Sequence, residues 1–170
     1  MYIIINILYS IKLKNIPLID IGILVSGFLL MTLYGAFLID VSISNWLYLA
    51  IISISFYMGL GKRRNELNKS SSTRKVLEYY NEKFLDKNMY MCLALFIVFY
   101  ALWCVDPVTV VKSHNLLIWT VPFVILICMK YSMNIESDSY GDPVDVIFSD
   151  KVLLAIGIIY AIIMFLIMYF

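Results

Sequence analysis

A basic cluster and an acidic cluster are the two parts of this sequence whose residue types could perform chemistry. The basic cluster, Lys62-Arg63-Arg64-Asn65-Glu66, directly follows an apolar run. Lysine and arginine side chains at such a point can donate charge-assisted hydrogen bonds to phosphoryl oxygens. The helix dipole and anionic lipid headgroups favour the same cations at the same place. The cluster therefore predicts either a phosphate site or an ordinary helix end at a membrane surface.

The acidic cluster lies between residues 130 and 151 and has the residue types of a metal site. Its members are Glu136, Asp138, Asp142, Asp145 and Asp150. Mg²⁺ is often held by one or two carboxylates together with substrate phosphates. Acidic residues at a bilayer surface can equally well remain solvated, and Gly141 and Pro143 interrupt the helix that would align these carboxylates.

One further ionisable residue, Asp20, lies within an apolar stretch. An ionisable group inside a membrane segment is costly and is a functional candidate by default. Asp20 is about one helical turn from the predicted boundary of its segment. Hydration at the interface therefore explains it as well as a functional role does.

The composition places both clusters in a membrane protein. Of the 170 residues, 62% are hydrophobic and 15% are charged, and the mean hydropathy is +0.88. Soluble domains contain about 45–50% apolar and about 25% charged residues. Backbone groups in lipid must form their hydrogen bonds within a segment, so the prediction is an all-α, polytopic membrane helix bundle. The net charge of +1 gives no reason to expect a nucleic-acid partner.

Five apolar segments approach the about 20 residues that cross a bilayer as a helix. Residues 1–11 are equally apolar but have about half of that length. They are interpreted as a re-entrant or interfacial segment, or as the end of a truncated helix. Residues 1–170 are taken as a single membrane domain. The predicted spans are 17–39, 44–61, 89–105, 115–130 and 151–170.

The distribution of basic residues predicts the topology. Twelve of the thirteen lysine and arginine residues fall on one side of the alternating map, and only Lys112 falls on the other. The positive-inside rule makes the first side cytoplasmic. The prediction is a multi-pass protein of the cytoplasmic membrane, with the polar stretches 61–88 and 130–151 in the cytoplasm and the C-terminus outside.

Several segments in sequence order resemble a known family. They are NILYSIKLKNIPLIDIGILVSGFLL (6–30), GLGKRRNEL (59–67), TRKVLEYYNEKFL (73–85) and VPFVILICMKYSMNIESDSYGDPVDVIFSDKVLL (121–154). Together they resemble the C-terminal half of the UbiA-type prenyltransferase superfamily, and more narrowly its decaprenyl-phosphate phosphoribosyltransferase branch. The GKRRxEL and TRKVLExY motifs are fairly specific, whereas the apolar stretches alone are not.

The resemblance implies a UbiA-like bundle, of which this chain is the C-terminal portion. It implies a transferase that moves a phosphoribosyl group from phosphoribosyl pyrophosphate to a membrane polyprenyl phosphate, with Mg²⁺ as cofactor, in cell envelope biosynthesis. The main acidic metal motif of the family precedes everything in this chain. The expectation is therefore an enzyme that is incomplete without an N-terminal half, which could be separately encoded.

The resemblance also implies site residues, although it assigns no catalytic residue. Lys62, Arg63 and Glu66 are expected to line a polar motif at the mouth of the substrate cavity. Secondary candidates for binding substrate or phosphate are Arg74, Lys130 and Tyr131. Asp145 is the candidate metal ligand.

Two other functions remain open from the sequence. A UbiA-type enzyme could transfer a prenyl group to another acceptor, although the basic GKRR motif is unlike the carboxylates that a two-metal diphosphate site requires. A non-catalytic membrane fragment or scaffold is the alternative from a different class. Lipid binding without turnover would favour the scaffold.

Overall fold

The computed structural model describes residues 15–40, 43–68, 75–136 and 143–169, and every regular element in these ranges is helical. Short 3₁₀ turns at Lys75–Tyr79 and Leu117–Thr120 precede the third and fifth α-helices. Residues 1–11, predicted as a half-length segment, lie outside the described residues. The α-helices are α1 (Ile19–Leu38), α2 (Asn45–Asn68), α3 (Glu82–Cys104), α4 (Pro107–Ser113), α5 (Val121–Glu136), α6 (Pro143–Ser149) and α7 (Lys151–Tyr169).

Four stretches of the described chain are long and apolar enough to cross a membrane. They are α1, α3, α7 and the combined stretch Leu117–Glu136. The prediction of an all-α, multi-pass membrane bundle is confirmed. Helix α2, predicted as a span over 44–61, is 24 residues long but is not among these four stretches.

At three of the predicted spans, the helix is longer than the apolar run that predicted it. Helix α2 continues to Asn68, α3 begins at Glu82, and α5 continues to Glu136, so each helix extends several residues beyond its apolar run. Hydropathy marks where a segment leaves lipid, whereas lysine, arginine and glutamate are good helix formers and allow the helix to continue. The basic cluster and the pair Lys130–Tyr131 are therefore helical and lie before the helix ends, not in loops.

Helix α2 is the centre of the bundle. It runs antiparallel to α3, because Arg64 near its end contacts Asp86 while Trp46 near its start stacks on Phe99. Glycines bring the other neighbours close to it. A Cβ atom on Gly61 would approach Ile135 of α5 to 3.3 Å, and one on Gly59 would approach Ile21 of α1 to the same distance. A larger residue at either glycine would therefore require the facing isoleucine side chain to shift by a few tenths of an ångström.

Candidate functional site

Charged and hydroxyl side chains connect five helices at one end of the bundle, which is called the polar end below. The contacts join α1 to α2, α2 to α3, α3 to α5 and α5 to α7. Both predicted clusters contribute to the polar end, although they are far apart in the sequence. The connecting pairs are Asp20–Arg63, Arg64–Asp86, Tyr90–Glu136 and Lys130–Asp150.

The deepest part of the polar end is a fully buried ion pair between α1 and α2. The Nε of Arg63 donates to Asp20 Oδ2 at 2.5 Å, and both side chains are 0% exposed. The hydroxyl of Tyr80 donates to Asp20 Oδ1 at 2.7 Å and accepts from the backbone N–H of Leu18 at 2.7 Å. Arg63 also donates to Glu66 at 2.8 Å. The network ties the start of α1 to the last turns of α2 and to the 3₁₀ segment before α3.

This geometry argues against interfacial hydration as the explanation of Asp20. The carboxylate is not hydrated at an interface, because it has no exposed surface. A buried ion pair is tolerated only when its remaining lone pairs and protons are hydrogen-bonded, and here Tyr80 supplies one such bond. Burial, together with the bond to Asp20, outweighs the bond from Leu18 and raises the pKa of Tyr80 to about 12. The Tyr80 hydroxyl therefore remains a proton donor at physiological pH.

The other two cations of the basic cluster differ in what they contact. Arg64 bonds Asp86 at 2.5 Å and Glu82 at 3.2 Å, both near the start of α3. Lys62 is half-buried and makes no ion pair with any residue that the structure describes. Of the three cations, Lys62 is therefore the one whose charge is most available to an added anion.

The second ion pair of the candidate site joins α5 to α7. The Nζ of Lys130 lies 2.8 Å from Asp150 Oδ2, and the two side chains are 28% and 19% exposed. The other oxygen, Oδ1, accepts from the backbone N–H groups of Val152 and Leu153 at 2.8 and 3.0 Å and so caps α7. The hydrogen bond from Lys130 is the main reason that the pKa of Asp150 lies well below its usual range. The Asp150 carboxylate thus both pairs with Lys130 and caps the start of α7.

Two apolar cavities open beside these charged groups. One, of about 310 Å³, is lined by α2, α3, α5, α6 and α7 and includes Tyr131, whose ring lies 5.8 Å from that of Tyr57. The hydroxyl of Tyr57 is hydrogen-bonded to Ser132 at 2.7 Å. The other, of about 600 Å³, is a groove over α2 between α1 and α3. Both could hold hydrocarbon below the polar end.

The predicted metal site is not assembled within the described residues. Asp145 is exposed on α6, and the described ranges contain no group of three or more His, Cys, Asp or Glu residues that could hold a metal ion. Arg74, Asp138 and Asp142 lie outside the described residues.

Sequence reasoning did not single out two members of the polar end, Asp86 and Tyr90, which bind Arg64 and Glu136. It also did not predict the bond of Tyr80 to Asp20, which is 60 residues away. The only available signal was the excess of cations on α2, which predicts that carboxylates elsewhere balance some of them.

Comparison with known proteins shows what the chain is similar to. No family model matches the chain. A decaprenyl-phosphate phosphoribosyltransferase of Corynebacterium glutamicum is 31% identical over 175 residues, covering 96% of this chain. Proteins of the same name from Mycolicibacterium smegmatis and Mycobacterium tuberculosis are 28% and 26% identical, each over 89% of this chain. The chain is a relative of the decaprenyl-phosphate phosphoribosyltransferases.

The similarity to these phosphoribosyltransferases covers only part of their length. The chain spans about half the length of the curated relatives it matches, 51% in each of the three. The predicted resemblance is confirmed, and the coverage is consistent with the C-terminal portion of a UbiA-type protein. The matched half includes the polar end and both cavities.

Proposed function

We propose that this chain is part of a membrane transferase that moves a phosphoribosyl group from phosphoribosyl pyrophosphate to a polyprenyl phosphate. The observation that carries the proposal is the match of nearly the whole chain to decaprenyl-phosphate phosphoribosyltransferases. The layout supports it, because cations lie at one end of a bundle that has apolar cavities directly below. Such a layout suits the joining of a water-soluble phosphorylated donor to a phosphate carried on a hydrocarbon chain.

The described residues have distinct tasks in this proposal. Lys62 and Lys130 neutralise phosphate charge, since both are partly exposed and neither is enclosed in the buried network. Arg63 and Glu66 shape the base of the site, because Arg63 is held within the bundle by Asp20. Tyr131 lines the cavity beside Lys130 and faces hydrocarbon.

The remaining part of the site is proposed to come from elsewhere. The chain covers only half of its relatives, and its described residues gather no metal ligands. Mg²⁺ would neutralise pyrophosphate charge in such a reaction, and its carboxylate ligands would belong to an N-terminal half, whether separately encoded or joined to this chain. Asp145 remains a proposed additional ligand.

The polar end is proposed to face the cytoplasm, where the soluble donor would be available. The support is the charge asymmetry of the sequence, with twelve of thirteen cations on one side. The C-terminus then lies outside. Reporter fusions after residue 68 and at the C-terminus should show opposite sidedness, and equal sidedness would contradict the topology.

The function is tested by co-expressing this chain with an N-terminal half taken from a relative. Membranes containing both are supplied with radiolabelled phosphoribosyl pyrophosphate and a polyprenyl phosphate, and the labelled lipid product is measured. Transfer that requires both halves and falls at least tenfold in Lys62→Gln supports the proposal. A matched control is Lys151→Gln at the start of α7, which makes no ion pair among the described residues and should retain activity. If no labelled lipid is formed with either half alone or with both halves together, the proposed function is contradicted.

A scaffold without catalysis is the second candidate. It is favoured by one observation, namely that Arg63, Arg64 and Lys130 are each paired with a carboxylate of the same chain. In that case the same membranes would bind polyprenyl phosphate without producing a labelled lipid.

A further inference from the structure

The smaller cavity is lined by residues that neighbour an ion pair in the chain. Its volume is about 310 Å³, and its lining includes Tyr131 of α5, Ile147 of α6 and Leu153 of α7. Lys130 precedes the first of these residues, and Asp150 lies three positions from each of the other two. The Lys130–Asp150 ion pair therefore joins α5 to the start of α7 next to residues of the lining, and it is called the strap below.

The cavity and the cation together have the character of a site for an amphiphile. An apolar cavity of about 150 Å³ can hold one benzene molecule, so about 310 Å³ holds roughly ten to twelve carbon atoms. The aromatic lining of Tyr57, Tyr131 and Tyr160 suits an unsaturated hydrocarbon. The ammonium group of Lys130 supplies the complementary contact for an anionic head.

The ion pair of the strap is weak enough for another anion to replace Asp150 at Lys130. Lys130 and Asp150 are both partly exposed, and ion pairs of this kind are weak because water screens them. A phosphate monoester offers more negative charge and more acceptor oxygens than one carboxylate. When Lys130 leaves, Asp150 still accepts from Val152 and Leu153, so the cap of α7 survives the exchange.

We propose that the phosphate of a polyprenyl phosphate displaces Asp150 from Lys130 while the first isoprene units enter the 310 Å³ cavity. The strap is thus a contact that the lipid must open, and Asp150 is a competitor for the headgroup. The identity of the lipid rests on the proposed function, whereas the competition rests on the geometry of the strap.

The competition is tested with the full chain in detergent micelles and geranyl phosphate as the probe. Inorganic phosphate provides the head alone and geraniol the tail alone. Asp150→Asn keeps a good capping residue but removes the charge, so the affinity for geranyl phosphate should rise by about two- to fivefold. Lys130→Gln should lower it by about tenfold. The matched control is Glu78→Gln, an exposed residue without a hydrogen bond or ion pair to the described residues, which should change nothing.

The choice of cavity is tested with two glycines. A Cβ atom on Gly157 or on Gly22 meets no atom within 4 Å, so a side chain can begin at either position without a clash. Gly157 lines the 310 Å³ cavity and Gly22 lines the groove between α1 and α3. Gly157→Leu should weaken the binding of geranyl phosphate at least fivefold and leave inorganic phosphate unaffected. Gly22→Leu should leave both unchanged.

Three results would overturn the proposal. They are unchanged or weaker binding in Asp150→Asn, loss of binding in Gly22→Leu instead of Gly157→Leu, and the absence of geranyl phosphate binding by the wild-type chain. Each differs from failure of the proposed function, which is measured by transfer in the complemented membranes. Transfer that is indifferent to Asp150→Asn and Gly157→Leu would reject the strap and leave the transferase in place.

Discussion

Two ion pairs at the polar end each join an aspartate to a basic side chain, and they differ in burial. Asp20 and Arg63 are both 0% exposed, whereas Lys130 and Asp150 are 28% and 19% exposed. The buried pair is joined by Tyr80 and Glu66 and connects three elements. The half-exposed pair connects two helices and lies beside a cavity. The comparison shows that an ion pair near a helix end holds helices together when it is buried. An ion pair that water still reaches remains accessible to an added ligand.

Breaking the buried pair should have the largest effect. Arg63→Gln leaves the Asp20 carboxylate buried without its arginine, and such changes cost about 3–5 kcal/mol. Thermal unfolding in detergent should therefore show a much lower midpoint. The double variant Asp20→Leu with Arg63→Met removes both charges and should be more stable than either single change. A double variant that is less stable than both would contradict this account.

Removing the tyrosine should have an intermediate effect. Tyr80→Phe deletes one hydrogen bond to a buried carboxylate and leaves the backbone N–H of Leu18 without this acceptor, which should cost about 1.5–3 kcal/mol. The measurement is again the thermal unfolding midpoint. Tyr79→Phe is the matched control, because Tyr79 is 72% exposed and should tolerate the change. Equal effects of the two variants would show that the buried network is not stabilised by Tyr80.

Breaking a more exposed pair on the same helix should have a smaller effect. Arg64 and Asp86 have side chains that are 11% and 35% exposed, and pairs open to water contribute about 0.2–1 kcal/mol. Arg64→Gln should therefore lower the unfolding midpoint far less than Arg63→Gln, its neighbour in the chain. A loss as large as that of Arg63→Gln would show that exposure does not separate the two classes of pair.

The smallest effect is expected from the strap, and it depends on pH. The pKa of Asp150 is lowered in the folded state, so its stabilising contribution is present above its unfolded pKa of about 3.9 and is lost as the pH falls through the lower folded value. The small difference in midpoint between wild type and Asp150→Asn should be constant from about pH 8 to 5 and shrink below about pH 4. A difference that grows on acidification would contradict this sign.

The sequence predicted the helices better than their ends or their contacts. Apolar runs located α1 and α7 to within about two residues, because lipid demands apolar side chains along the whole span. The same signal ended α2 and α5 several residues early, since polar residues continue a helix beyond the bilayer. Lys62, Arg63 and Glu66 were singled out as a group, yet their different burial was not predictable, because it depends on Asp20 from another helix.

The sequence by itself determined that this is a helical membrane protein with its cations collected on a few helix ends, and its motifs predicted the resemblance to decaprenyl-phosphate phosphoribosyltransferases. Those properties follow from hydropathy and local residue order. Only the tertiary structure decided which cations are neutralised inside the bundle, that Tyr80 completes the Asp20 network, and that Lys130 and Asp150 pair between α5 and α7. The physical reason is that burial, hydrogen bonding and charge pairing join residues up to 75 positions apart, which no local pattern encodes.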